Sequence, residues 1–305
     1  MEFSLKQALK VLVVFACAVG VVGTSVMITN KNTDNAKNKN DSLWNVVNGS
    51  DSDSDDSNTP TSGPNGEPLV SKTESQVGKY ADIDGDGTVD GIIFADLMVG
   101  GSGIWTNRSN SNTDWGSYTI STITSSKEYY VSQESYTNDL GGNAEVLTPV
   151  GNGNDRFYVM ALNDANPEGY EWYSTAYSLY TNPNGIKDYN TVTNVEFGTG
   201  RQNTLNMIEK WNNSAYGEQS PNDLWGQIKN EVNNGWFVPS RAELAAFGAN
   251  LGVTSSNYKS KGLNHYYWTS SLLNTYSSYV AYFTNSYMSN WGIDKDRYVR
   301  LAITF

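Results

Sequence analysis

Two side chains that build many catalytic and metal sites are nearly missing from this chain of 305 residues, which has one cysteine and one histidine. Cys17 lies in an apolar run near the N-terminus. The remainder can therefore form no internal disulfide and offers no thiol nucleophile or cysteine zinc site. His265 alone cannot build a histidine cluster, and no GxSxG turn accompanies it to suggest a Ser-His-Asp triad. Charge is also scarce: Asp, Glu, Lys and Arg make up 17% of the residues, and 32 acids against 20 bases leave a net charge of −12. No Lys/Arg-rich run stands out, which argues against nucleic acid as a partner.

What is abundant is Tyr and Trp, 20 and 9 residues, set among Asn, Ser, Thr and Gly. That mixture suits an extracellular β-rich protein better than a helical enzyme. Residues 11–28, VLVVFACAVGVVGTSVMI, are almost wholly apolar and follow Lys6 and Lys10. Residues 1–29 are accordingly expected to be a signal peptide or signal anchor, touching the membrane through residues 11–28. Phe15 and the long apolar continuation speak against a lipobox at Cys17, and no clean A-x-A site follows. An uncleaved anchor would leave the protein on the extracellular face of the cell membrane, and cleavage would secrete it.

Residues 30–79 are rich in Asn, Asp, Ser and Pro. They hold too little apolar surface to offset the entropy of ordering, so a disordered stalk is expected there. A short apolar island, LWNVV at 43–47, has no explanation within that reading. From Tyr80 to Phe305 the composition changes and stays changed, which indicates one domain.

Within the domain, SPNDLWGQIKNEVNNG (220–235) predicts a helix capped by Ser220, with Pro221 at its first position and Gly235 at its end. Ser240 and Glu243 predict a capping box ahead of Leu244, Phe247 and Leu251, with Gly252 as the stop. Thr204 to Trp211 predicts a third helix that buries Leu205, Ile208 and Trp211. Strands are expected at 90–97, 156–162, 266–270, 279–283 and 298–305. Helices in the middle and strands at the end indicate an α+β fold.

One acidic stretch has metal-ligand spacing. In ADIDGDGTVDG (81–91), Asp82, Asp84, Asp86 and Asp90 fall at positions 1, 3, 5 and 9 of a calcium loop, and the Thr88 carbonyl falls at position 7. Carboxylates at alternate positions of a tight loop converge on one point, where a hard cation relieves their repulsion. Position 12 holds Ile93 rather than Glu, and Asp96 is the nearest substitute. The expected cofactor is a structural Ca2+; the competing reading is a solvated Asp-Gly turn.

GWFVPSRAEL (235–244), YYWTSS (266–271), AYF (281–283) and YVRLAITF (298–305) occur in that order. They resemble the C-type lectin-like domains related to the formylglycine-generating enzyme. The matching residues are Trp236, Pro239, Ser240 and Glu243, then Tyr267, Trp268, Thr269 and Ser270, then Tyr298, Val299 and Arg300. The resemblance implies a C-type lectin-like head on the stalk. It covers residues 230–305 clearly, and 80–230 only in general character. Trp236 and Trp268 are expected to be buried, and Arg300 to be a surface or capping cation. The family enzyme uses cysteines, which this domain lacks, so its oxidase activity is not expected. The EPN and WND sugar motifs of animal lectins are absent too.

The segment is also similar to the variable proteins of diversity-generating retroelements. That implies a framework interrupted by freely substituted positions in SLLNTYSSYVAYFTNSYMSNW (271–291). With Tyr279, Ala281 and Phe283 facing the core, Val280 and Tyr282 are expected to face out. The expected ligand surface comprises Leu273, Asn274, Tyr276, Val280, Tyr282, Asn285, Tyr287, Asn290, Trp291 and Asp294. Tyr with Ser and Asn is the chemistry of adaptable binding surfaces. The leading expectation is a cell-surface binding protein for an unknown protein or glycan. A pilus-like subunit is the alternative, although Glu2 and Gln7 stand where a prepilin would carry Gly and Glu. A hydrolase is weaker still: Ser256 and Lys259 form an S-x-x-K without its partner motifs.

Overall fold

β-Branched and aromatic runs pair into sheets here, and the chain between them coils into short helices. The computed structural model describes residues 59–105, 113–177 and 185–305. The expected leader at 1–29 with Cys17, the LWNVV island and stalk residues 30–58 lie outside the described residues. Among the described residues no helix is long and apolar enough to cross a membrane.

The strands are β1 (Tyr80–Ala81), β2 (Gly91–Asp96), β3 (Gly101–Ile104), β4 (Ser117–Ile120), β5 (Glu128–Gln133), β6 (Val146–Val150), β7 (Phe157–Ala161), β8 (Tyr266–Asn274), β9 (Ser277–Tyr282), β10 (Tyr287–Gly292) and β11 (Ala302–Thr304). The helices are α1 (Ser174–Tyr177), α2 (Tyr189–Val192), α3 (Gly200–Asn212), α4 (Leu224–Gln227), α5 (Lys229–Asn233) and α6 (Arg241–Asn250). With 18% helix and 27% strand, the class is α+β.

Six strands form one sheet in the order β11-β7-β2-β1-β6-β5, three form a second in the order β10-β9-β8, and β3 pairs with β4. The chain from Tyr298 to Thr304 ties the first two sheets together. Tyr298 exchanges backbone hydrogen bonds with Tyr266 and Trp268 of β8, and β11 then pairs with β7. The alternation in YVRLAITF thus yields only a three-residue strand, and Val299 to Leu301, which cross from one sheet to the other, are all buried.

Two large cores lie on opposite sides of β8-β9-β10. One gathers Phe94, Trp105, Phe247, Tyr267, Ala281, Phe283 and Met288. The other gathers Trp172, Trp225, Trp268, Val280, Ile293 and Val299.

The capping box forms as expected. The Glu243 N–H donates to Ser240 Oγ at 3.2 Å, and the Ser240 N–H donates to Glu243 Oε2 at 2.6 Å. Gly198 and Gly200 N–H groups also donate to Glu243 Oε1, at 3.0 and 3.3 Å. The cap therefore fastens α6 to the turn before α3.

Several expectations need correction. The folded domain extends ahead of Tyr80. Leu69 bridges Tyr130, and the Gln76 N–H donates to buried Asp96 at 3.1 Å, so residues 69–76 are part of the domain. The helix expected from Ser220 starts at Leu224 and breaks at Ile228. Asp223, fully buried, precedes it, and its carboxylate accepts from Ser174 N–H, Trp211 Nε1 and Ser220 N–H at 2.8 to 2.9 Å. α3 buries Thr204, Met207 and Trp211, leaving Leu205 exposed, because the stripe is offset from the three apolar residues counted. Arg300 is no surface cation: 4% exposed, it donates from Nε to Asp164 at 2.8 Å.

Candidate functional site

Register builds an aromatic platform at one end of the three-stranded sheet. Tyr266, Tyr282 and Tyr287 are direct cross-strand partners, so their side chains share a face. Tyr266 and Tyr282 stack with centroids 4.4 Å apart and planes 20° apart, and Tyr287 meets Tyr282 edge-on at 5.3 Å. Trp291, 38% exposed, meets the edge of Tyr266 at 5.7 Å. The Arg297 guanidinium lies 4.4 Å from the Trp291 centroid and 4.9 Å from that of Tyr266, within cation–π range. A hydrogen bond with Tyr266 pushes the Tyr282 phenol pKa above its usual value. Backbone bonds with Tyr170 fix Arg297 from behind, at 2.9 and 3.0 Å. Gly169 permits that approach: its φ is +90°, and a Cβ there would lie 2.9 Å from the Arg297 backbone.

The structure splits the expected ligand residues. Tyr282, Tyr287 and Trp291 join the platform, with Asn285 exposed in the turn between β9 and β10. Leu273, Asn274 and Tyr276 lie at the other end of the β8–β9 hairpin. There Asn274 Oδ1 accepts from the Tyr276 N–H at 2.9 Å, and Tyr276 meets Tyr177 edge-on. Asp294 belongs with that end, since neighbouring Ile293 bonds to the Tyr276 carbonyl, and its carboxylate takes Lys295 at 2.9 Å. Asn290 falls on the face that carries Met288, half-buried.

Val280 is the clear correction. It is fully buried opposite Trp268, because this stretch of the sheet is covered on both faces and alternation no longer separates inside from outside. The expected set also omitted Tyr266 and Arg297. Tyr266 could have been found from its place in YYWTS, on the same face as Tyr282; nothing in the sequence pointed to Arg297.

The acidic loop is partly as expected. One carboxylate oxygen from each of Asp82, Asp84 and Asp86 lies within 4.8 Å of the others. Gly85 and Gly87, with φ of +76° and +89°, let the loop turn tightly, and both donate backbone N–H groups to Asp82. Thr148 Oγ1 donates to the same carboxylate at 3.1 Å. Asp90 stands outside this carboxylate group. Asp90 instead accepts from the Ile83 N–H at 2.8 Å, and burial, then repulsion from the other aspartates, raises its pKa. Ile93 is fully buried in β2. Asp96 is no substitute either, because it takes both Nε and Nη2 of Arg156 at 2.9 and 2.8 Å.

No family model, curated protein or solved structure matches this chain.

Proposed function

We propose that this is a cell-surface binding protein: an N-terminal anchor, a stalk before residue 58, and a head related to the C-type lectin-like domains, which captures a ligand on its aromatic platform. The observation that carries this reading is the cluster of Tyr266, Tyr282, Tyr287, Trp291 and Arg297 at the open end of a sheet whose middle, around Trp268, Val280 and Ala281, is buried on both sides. Tyr, Trp and Arg dominate binding hot spots, because they offer large contact area with few rotatable bonds. Tyr282, Tyr287 and Trp291 are also the positions that a diversity-generating retroelement would vary.

The test is capture on a glycan and surface-protein array by full-length protein carrying Tyr282→Ala, Tyr287→Ala and Trp291→Ala. Capture should vanish while the melting temperature stays within a few degrees. Retained capture, or a collapse in stability, would sink the reading. Sequencing around the gene tests the retroelement separately: a reverse transcriptase and a near-identical template repeat should lie nearby.

Ca2+ belongs to the proposal as a structural ion held by Asp82, Asp84 and Asp86. Three converging carboxylates repel one another, and a bound cation turns that cost into a link between β1 and the turn ahead of β2. Millimolar calcium should raise the melting temperature of the native protein, as expected when a ligand binds only the folded state. The exposed pair Asp84→Asn and Asp86→Asn should abolish that rise. A melting temperature indifferent to calcium and to chelator would remove the ion from the account.

A further inference from the structure

A cavity of about 300 Å³ adjoins the platform, lined by Tyr258, Lys259, Gly262, Leu263, Asn264 and His265. Its lining contains an ammonium and an imidazole but no carboxylate, in a chain whose net charge is −12. Of the two acids nearby, one is already paired with a cation. Asp164 is engaged by Arg300 at 2.8 Å and by Tyr267 and Asn264 at 2.9 Å. Asp139 lies against Gly262 but is not part of the lining.

The imidazole is oriented. His265 Nδ1 lies 3.1 Å from the Tyr258 hydroxyl and 3.0 Å from Thr284 Oγ1. An Nδ1 that accepts from a hydroxyl leaves the ring proton on Nε2, as a donor for whatever occupies the cavity. The Lys259 ammonium lies 6.0 Å from the centre of the Tyr258 ring. The cavity borders the platform: the ring of His265, in its lining, lies 6.4 Å from that of its chain neighbour Tyr266, which stacks on Tyr282.

From this geometry we infer that the cavity is a subsite for the carboxylate of an acidic saccharide whose sugar rings lie along Tyr266 and Tyr282. The inference rests on the platform being the ligand surface. Lys259 supplies the positive charge, and Lys259 and His265 the N–H donors, that a carboxylate seeks. The phenols of Tyr258, Tyr266 and Tyr282, with Asn264 and Thr284, supply the neutral donors and acceptors that match sugar hydroxyls, and aromatic rings pack against the C–H faces of a pyranose.

The experiment is calorimetric titration of the full-length protein with tetragalacturonate and with its uncharged methyl ester. The acid should bind at least tenfold tighter than the ester, and the preference should shrink as salt rises. Lys259→Ala and His265→Ala each replace an exposed side chain, so circular dichroism should be unchanged, and each should bring acid and ester to similar affinity. Because His265 is the only histidine in the chain, its Cε1–H resonance is a single reporter that should move on adding galacturonate and stay still on adding galactose. Equal affinity for acid and ester in the parent protein would overturn the subsite. Binding of poly-glutamate in place of either saccharide, lost on Lys259→Ala, would overturn the saccharide. Neither result touches the platform itself, which is judged separately by the array variants at Tyr282, Tyr287 and Trp291.

Discussion

The two faces of the β8-β9-β10 sheet are made from adjacent residues of the same strands and end in different circumstances. One face, with Tyr267, Ala281 and Met288, is covered along its length by α6 and the aromatic residues around Phe94 and Phe283. The other begins the same way, with Trp268 and Val280 packed against Trp172 and Trp225, but opens beyond them into Tyr266, Tyr282, Tyr287 and Trp291. A tyrosine is core or contact surface here according to what another element lays over it. Tyr267 and Tyr266 differ by one residue, yet the first is 1% exposed and hydrogen-bonded to Asp164 while the second stacks in the open cluster.

That contrast can be broken most forcefully from the buried part of the second face. Trp268→Ala removes a fully buried indole and its 2.8 Å bond to the Tyr170 carbonyl, and should cost about 3–5 kcal/mol of stability in denaturant titration. A cost near zero would mean that this half is no more core than the platform.

The first face can be loosened through its cover. Burial pushes the Glu243 carboxyl from an ordinary value of 4.5 up to about 7, against the N–H donors of Ser240, Gly200 and Gly198. Over that window the native state keeps a proton that the unfolded chain has lost. The contribution of Glu243 is therefore full below pH 4.5, falls as pH rises to about 7, and is flat above, a change on the order of 3 kcal/mol. Glu243→Gln should remove that slope and cost roughly 1–3 kcal/mol, since its NH2 group faces N–H donors. Unfolding free energies measured between pH 4 and 8 would show both effects. The smallest expected effect lies on the open end: Tyr282→Ala should change stability by about 1 kcal/mol or less, with its consequence confined to ligand capture.

The features that local chemistry dictates were legible in the sequence. The Ser240–Glu243 cap, the aspartate turn at 82–86, the strands around Phe157 and Trp268 and the α+β class all follow from residues that interact with near neighbours. What was not legible depends on distant partners. Val280 is buried because Trp268 stands opposite and Trp172 covers both, and Arg300 is buried because Asp164 waits far away in the chain. Ser220 loses its expected cap because Asp223 is recruited by Ser174 and Trp211. Three of the five platform residues were readable, Tyr282, Tyr287 and Trp291, but Arg297 reaches the cluster only through its backbone pairing with distant Tyr170.

The placement of residues 63–76 also has a mechanical consequence. Tension arriving along the chain from before residue 59 would meet first the edge of β5, where Val70 donates to the Tyr129 carbonyl at 2.8 Å and Leu69 bridges Tyr130. Contacts at an edge yield one after another, like a zipper. Behind them stands a lock: Asp96 and Arg156, each 1% exposed, grip the Gln76 N–H and the Glu74 carbonyl. Under such a pull the domain would pay out a short length of slack at low force and then resist.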